Sequence, residues 1–339
     1  MNYTMSDSKH IPDSLTEPLV SKTKKLVVPL IDDSVIPYIE DMFPSKVLVL
    51  CATGKVGNNV CYALQRRGFD VYGTTRSSKG AGALSAKGVK PVIADYTKAY
   101  DLDKAFILTG CRWAFIITDY FRAARSSWRK ELQQGKAMVD ACKRAGCTFV
   151  VYSSAADADK FSPKVRHLVA KPKVEDYLLA SGLNAAVIRP AAFFENLDDS
   201  ANWNPLKPGR VKFLTDCEVN FVSTYDVGQL AAQMFLYPAE WNGRIVEAAS
   251  WKGTVYEIAQ ILEKLSGQRT VGSMTMPRFF RWLFLNDLHH MCRYFEEGYL
   301  DSQVDIAAFR KLVPDALDAE GWLRFHQVYA NGTSIVKPN

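Results

Sequence analysis

The hydrophobic pattern divides the chain into an irregular leader and a regular body that begins at Lys46. Val47-Leu48-Val49-Leu50 is a short continuous apolar run, the mark of a strand buried on both faces of a parallel sheet. Beyond it Val60, Leu64 and Arg67 recur at three- and four-residue spacing and predict a helix over 60–67. Gly68 closes it, where a left-handed C-cap is common. Further strands are predicted at 71–75, 89–94, 113–118, 148–152 and 185–189. Helices are predicted at 102–108, at 132–145 closed by Gly146, and at 174–180 closed by Gly182. Strands alternating with helices form βαβ units, so the expected class is α/β with a Rossmann-type, doubly wound parallel sheet. After Pro190 the order loosens. Helices are expected at 226–237, 253–266, 276–298 and 303–311, with a strand near 244–248. That pattern predicts a smaller α+β lobe over about 200–330 beside a core over about 45–200.

Composition adds limits. The chain has 339 residues, 48% hydrophobic and 23% charged. A chain of this length buries roughly three quarters of its unfolded surface and needs no disulfide staples. The seven cysteines are scattered, with no C-x-x-C pair, and read as reduced thiols of a cytoplasmic protein, or a nuclear one if its role is regulatory. The five histidines show no ligand spacing with them, so no metal is expected. No apolar run approaches the roughly 18 residues of a membrane span, and the N-terminus lacks a signal peptide's pattern. Residues 1–44 carry four lysines and seven acids, so the net charge of +6 is about −3 on this extension and +9 on the body. The extension, with apolar patches at 26–31 and 35–39, is expected to be partly disordered. A mildly basic body favours anionic ligands but lacks a dense basic stripe, so no nucleic-acid partner is expected. Arg122, Arg125, Arg129 and Lys130 read as a solvated helix face, or as a contact for an acidic partner. The aromatic stretch Phe279–Phe284 is too apolar for a solvated face and reads mostly as core of the small lobe, with cleft or partner surface as alternatives.

The most informative local chemistry is Cys51-Ala52-Thr53-Gly54-Lys55-Val56-Gly57, between the first strand and the first helix. A helix N-terminus there offers unpaired N–H groups and a positive dipole end to a pyrophosphate. Gly54 permits close backbone approach and Gly57 permits helix–strand packing, with Thr53, Lys55 and Val56 completing the turn. Cys51 stands where the motif's first glycine usually sits, so the turn must accommodate a Cβ. Near a helix N-terminus and Lys55, its thiol is expected to have a depressed pKa, unless it is simply a small buried hydrophobe. Arg76 ends the second strand, where a basic residue accommodates a 2′-phosphate, and Ser77 or Ser78 can donate beside it. NADP(H) is therefore expected over NAD(H).

These motifs, together with Ile93-Ala94-Asp95, Phe115-Ile116-Ile117-Thr118, Gln134-Gly135-Lys136 and Val151-Tyr152-Ser153-Ser154, resemble the NmrA-like branch of atypical short-chain dehydrogenases. His167 with Lys171, Val174-Glu175-Asp176-Tyr177, Arg189-Pro190 through Phe194-Glu195-Asn196-Leu197, and Phe221 to Val227 extend the resemblance over about 45–330. The resemblance implies that Asp95 and Tyr96 line the adenine. Thr118 and Tyr120 would lie along the nicotinamide ribose, Lys171 would reach that ribose, and Phe193 and Asn196 would edge the substrate cleft. It also implies either of two roles: a reductase of quinones, dyes or plant phenolics, or a catalytically silent redox sensor that binds a regulatory protein.

Short-chain dehydrogenases use Tyr-x-x-x-Lys, whereas this chain has His167-x-x-x-Lys171. Imidazole can donate a proton near neutral pH, or it can simply pack. The Lys171 ammonium can hold ribose hydroxyls and stabilise an oxyanion. Pro172 biases Lys171 toward extended backbone ahead of the helix. Ser153 and Ser154 end the fifth strand, where ligands bind in such sheets, as hydroxyl donors or as turn residues. The expected function is hydride transfer from NADPH to a small apolar carbonyl, quinone or enone, with the sensor as alternative. No oligomeric state is implied.

Overall fold

The computed structural model describes residues 46–160, 163–199, 206–207, 209–284, 286–298, 304–326, 329–330 and 333–334. The expectation for residues 1–44 falls outside them. In chain order the elements are β1 (Lys46–Val49), α1 (Lys55–Arg66), β2 (Asp70–Thr75), α2 (Ser78–Ser85), β3 (Lys90–Ile93), α3 (Ala99–Thr109), β4 (Trp113–Ile117), α4 (Trp128–Arg144), β5 (Phe149–Ser153), α5 (Ala170–Leu179), β6 (Ala185–Pro190) and β7 (Ala192–Phe193). Then follow β8 (Arg210–Phe213), β9 (Val219–Val222), α6 (Thr224–Leu236), α7 (Pro238–Trp241), β10 (Ile245–Ala248), β11 (Trp251–Gly253), α8 (Val255–Ser266), β12 (Val271–Met274), α9 (Arg278–Phe284), α10 (Asn286–Glu296), α11 (Ile306–Leu312) and α12 (Ala319–His326). Two short strands pair antiparallel beyond α12.

Seven parallel strands form the main sheet in the order β10-β6-β5-β4-β1-β2-β3. The order reverses between β1 and β4, where a crevice opens at the carboxyl ends of the strands. Val47, Leu48 and Val49 are fully buried, as their unbroken apolar run requires. Two elements from beyond residue 200 complete this core: β10 pairs with β6, and α6 packs on α1. Gly228 makes the second contact possible, since a Cβ there would lie 2.6 Å from the Asn59 carbonyl oxygen. Helix α2, unmarked by periodicity, is started by Ser77, whose hydroxyl accepts from the Gly80 N–H.

A second core joins Phe194, Phe213, Phe221, Val255, Ile258, Leu262 and Trp322. Phe194 stacks on Phe221 and on Trp322, with centroids 5.1 and 5.6 Å apart. Helix α8 in this lobe carries a capping box, Thr254 with Glu257, and ends at Gly267 in the left-handed region. The predicted helix over 276–298 forms as two, α9 and α10. Their apolar stretch departs from expectation. Phe279 is 63% and Trp282 56% exposed, and Phe280 and Leu283 are also exposed. Among the described side chains of α9 the buried one is Arg281, which donates to the Leu214 carbonyl and pairs with Glu296 at 2.8 Å. Anchoring this guanidinium inward turns the aromatic face outward. Among the basic residues read as one helix face, Arg122 and Arg125 precede α4, and Arg129 and Lys130 form its first turn. Among the described residues no helix is long and apolar enough to cross a membrane, and no group of three His, Cys, Asp or Glu side chains could hold a metal ion.

Candidate functional site

A cavity of about 650 Å³ runs from the turn after β1 to the face of the small lobe. Its first end is made of backbone. Gly54 caps α1 with no side-chain hydrogen bond, and no acid occupies the first turn. Gly54 N donates to Cys51 O, and the next N–H groups of α1 have no acceptor among the described residues. Thr53, Gly54, Lys55, Val56 and Gly57 all line the cavity. A Cβ on Gly57 would fall 2.4 Å from the Cys51 carbonyl oxygen, so only glycine lets helix and turn close this tightly. An uncapped helix start with no acid in its own first turn suits a phosphate-bearing ligand.

Cys51 meets the demands of the missing glycine by adopting φ 59°, unusual for a residue with a side chain. Its N–H donates to Thr74 Oγ1 at 3.1 Å and its thiol to the Ile117 carbonyl at 3.3 Å. Burial pushes this thiol up to about 12, against a smaller lowering by Tyr96. Desolvation outweighs the lowering by Tyr96, Arg76 and Lys171, so the acidic thiol expected near the helix start is overturned and the alternative of a small buried thiol stands. Lys55 Nζ reaches across instead to Asp199 Oδ2 and the Glu195 carbonyl, both at 2.9 Å. Glu195 in turn accepts from the N–H and hydroxyl of Thr224 at the start of α6.

Arg76 lies with its guanidinium 5.5 Å from the centre of the Tyr96 ring, and both line the cavity. Ser77 and Asp95 do not line it. Ser77 is engaged in capping α2, and Asp95 accepts from the Thr97 backbone and hydroxyl. Tyr96 holds Asp119 Oδ2 at 3.4 Å, and burial pushes its phenol well above the usual range.

The floor of the cavity holds a buried charge pair. Lys171 Nζ lies 2.9 Å from Glu131 Oε1 and donates to Thr118 Oγ1 at 2.8 Å. Thr118 donates onward to Glu131 at 2.7 Å. Burial alone would lower the Lys171 ammonium, but Glu131, with Tyr152 and Asp119, outweighs it and holds the group above the ordinary lysine range. Lys171 therefore stays cationic throughout the physiological range. Glu131 comes from the first turn of α4, fully buried, with Oε2 lacking a partner among the described residues. Ser154 Oγ and the Tyr152 hydroxyl nearby are likewise without one. Lys171 belongs to the first turn of α5 rather than to an extended segment. Pro172 is tolerated at the third helical position because N–H groups of a first turn have no intrahelical acceptor. Gly135 lets α5 approach α4, since a Cβ there would meet Val174 at 2.3 Å.

The far end is made of side chains. Tyr120, Phe121, Ser154, His167, Phe193 and Asn196 line it from the sheet side. Phe213, Met276, Arg281, Leu288, Met291 and Phe295 line it from the lobe. His167 Nδ1 lies 2.9 Å from Asp287 Oδ2, and the Arg166 N–H donates to Asp287 Oδ1 at 2.5 Å. The His167 ring packs against Tyr120 and Phe121, with centroids 6.1 and 5.8 Å away. Neither Glu131 nor Asp287 stood out in the sequence. Each meets its partner from a distant segment, and nothing local marks it.

A comparison of the chain with known proteins agrees with this architecture. The NmrA-like family model matches residues 44–323. Among curated proteins, the photosystem II assembly factor Ycf39 of Cyanophora paradoxa is 27% identical over 228 residues, covering 66% of this chain and 69% of that protein. Two solved structures share the fold. Triphenylmethane reductase of Citrobacter sp., complexed with NADP(H), superposes with a TM-score of 0.66 at 19% identity, covering 81% of this chain and 98% of the other. The NADPH-dependent quinone oxidoreductase of Escherichia coli, complexed with NADPH, superposes with a TM-score of 0.64 at 21% identity, covering 81% and 97%. The family match across most of the body, with a seven-stranded parallel sheet and a cavity at its switch point, shows that this chain belongs to the NmrA-like family.

Proposed function

We propose that the protein is an NADPH-dependent reductase whose substrate is a small, flat, apolar carbonyl compound, quinone or enone. The supporting observation is the buried, permanently charged Lys171 between a phosphate-suited backbone turn and an apolar chamber in one continuous cavity. The uncapped start of α1 suits the pyrophosphate, and Arg76 suits a 2′-phosphate. Lys171 and Thr118 are placed to hold ribose hydroxyls. When bound, the nicotinamide supplies the hydride. The chain contributes orientation, exclusion of water by Phe213, Leu288, Met291 and Phe295, and a fixed positive charge where substrate oxygen gathers negative charge. Both structural neighbours named above are reductases in complex with NADP(H) or NADPH, which supports the reading.

The test is consumption of NADPH, followed at its absorbance band, over a panel of quinones and enones, with Lys171→Met as control. Turnover by the wild type, reduced at least tenfold in the variant, is the expected result. Tight NADPH binding with no oxidation of it by any substrate would overturn the reading. That outcome would favour a redox sensor that regulates a protein partner.

A further inference from the structure

We propose that Asp287, delivered by α10 of the small lobe, positions His167 as the proton donor of the reaction. This inference rests on the reductase reading. The Nδ1 atom of His167 is taken by Asp287 Oδ2 at 2.9 Å. Asp287 is itself fixed by the Arg166 N–H on its other oxygen. A carboxylate on Nδ1 sets the tautomer and leaves Nε2 as the working nitrogen. Nε2 has no partner among the described residues, and His167 lines the cavity from the turn that leads into α5, four residues before Lys171. Tyr120 and Phe121 hold the ring plane from the loop after β4. The pair thus stands where the tyrosine of Tyr-x-x-x-Lys is missing, and its orienting acid comes from 120 residues away.

The chemistry balances simply. Hydride is added to a substrate carbon, and the carbonyl π pair moves to oxygen. That oxygen takes the proton from His167 Nε2, and the neutral imidazole keeps its other proton on Nδ1 toward Asp287. Solvent then reprotonates Nε2. The hydride donor is a reduced nicotinamide dinucleotide, and the net consumption is one hydride and one proton per substrate molecule. A cationic triarylmethane dye differs, because hydride alone converts it to the neutral leuco form. The dyad therefore sorts substrates by whether they need a proton.

The charged and titratable groups around the ring are few. Asp287 lies on α10, Arg166 is its chain neighbour, Tyr120 faces it from the loop after β4, and Lys171 follows on α5. His290 feels both Asp287 and Lys164. The substitution Asp287→Asn keeps an oxygen for the Arg166 N–H and removes only the carboxylate charge.

The experiment compares 1,4-naphthoquinone with crystal violet, both with NADPH, in wild type, Asp287→Asn and His167→Gln. The expected result is that the ratio of quinone to dye turnover falls about 10²-fold at pH 8 in each variant, and no further in the double variant. The wild-type quinone profile should show an alkaline limb that the dye profile lacks. A 15N spectrum of the histidine rings should show the neutral His167 protonated on Nδ1, with the preference lost in Asp287→Asn. An equal fall for both substrates would make Asp287 a structural latch and overturn the proposal. So would an Nε2-protonated ring in the wild type. Failure of the wild type to reduce either substrate would overturn the reductase reading itself, and the nitrogen spectrum would then still show whether Asp287 orients the ring.

Discussion

The two ends of the cavity are built from different materials. At the β1 end the ligand-facing groups are backbone N–H groups of α1, fixed by covalent geometry and by two glycines. At the lobe end they are side chains brought together from separate elements, with Asp287 on His167 and Arg281 on Glu296. A backbone site tolerates change in its neighbours but no added Cβ. A side-chain site tolerates added bulk but not loss of one partner from a buried pair. The first end suits a ligand shared by many relatives, and the second can be respecified residue by residue.

The largest expected break lies where the two ends meet. Glu131→Gln should cost about 3–5 kcal/mol in denaturant melts, because it leaves the buried Lys171 ammonium without a counter-charge. Combining it with Lys171→Met should recover most of that loss. A single-variant cost below about 1 kcal/mol would show that the pair is not desolvated. Next, Gly57→Ala should lower stability by about 1–3 kcal/mol through overpacking against the Cys51 carbonyl, and should weaken nucleotide binding as the turn is pushed open. Calorimetric titration with unchanged affinity would contradict a backbone-built end. Arg76→Ala should weaken NADPH about 10–100-fold and leave NADH unchanged, as expected for a lost charge-assisted contact. Equal loss for both would remove the 2′-phosphate role.

A gentler test concerns the seam. Asp226 Oδ2 accepts from the Leu317 N–H, and burial pushes its carboxyl from 3.8 up to about 7. The folded form then keeps a proton that the unfolded chain has lost, so this stabilisation is full below about pH 4 and disappears as pH rises to 7. Asp226→Asn should flatten that part of the stability profile measured by urea unfolding, and an unchanged slope would refute the assignment. The smallest effect is expected at the exposed face of α9. Trp282→Ser should shift stability by less than about 0.5 kcal/mol, and a larger loss would mean that the aromatic face is covered.

The parallel sheet was legible because its apolar runs and glycine stops lie within a few residues of one another. Lys171 and His167 were legible for the same reason, as one short spacing that runs from the turn before α5 into its first turn. Glu131 was not, since its significance comes entirely from a lysine 40 residues later. Cys51 misled because proximity to a helix start is visible in sequence, whereas the burial that raises its thiol is not. Phe279–Leu283 misled because hydrophobicity argued for burial while a single inward arginine set the helix's rotation. Ser77 and Asp95 keep their local turn and cap roles off the cavity wall.

The seventh strand has a consequence for synthesis on the ribosome. β10 leaves the exit tunnel roughly 55 residues after β6, and until it arrives the outer edge of β6 has no neighbour. At ordinary elongation rates that edge stays unpaired for about 3–11 seconds. During that interval it can template pairing with another nascent chain. The chain therefore reaches its sealed form late, when the segment that closes the sheet has also brought α6 onto α1.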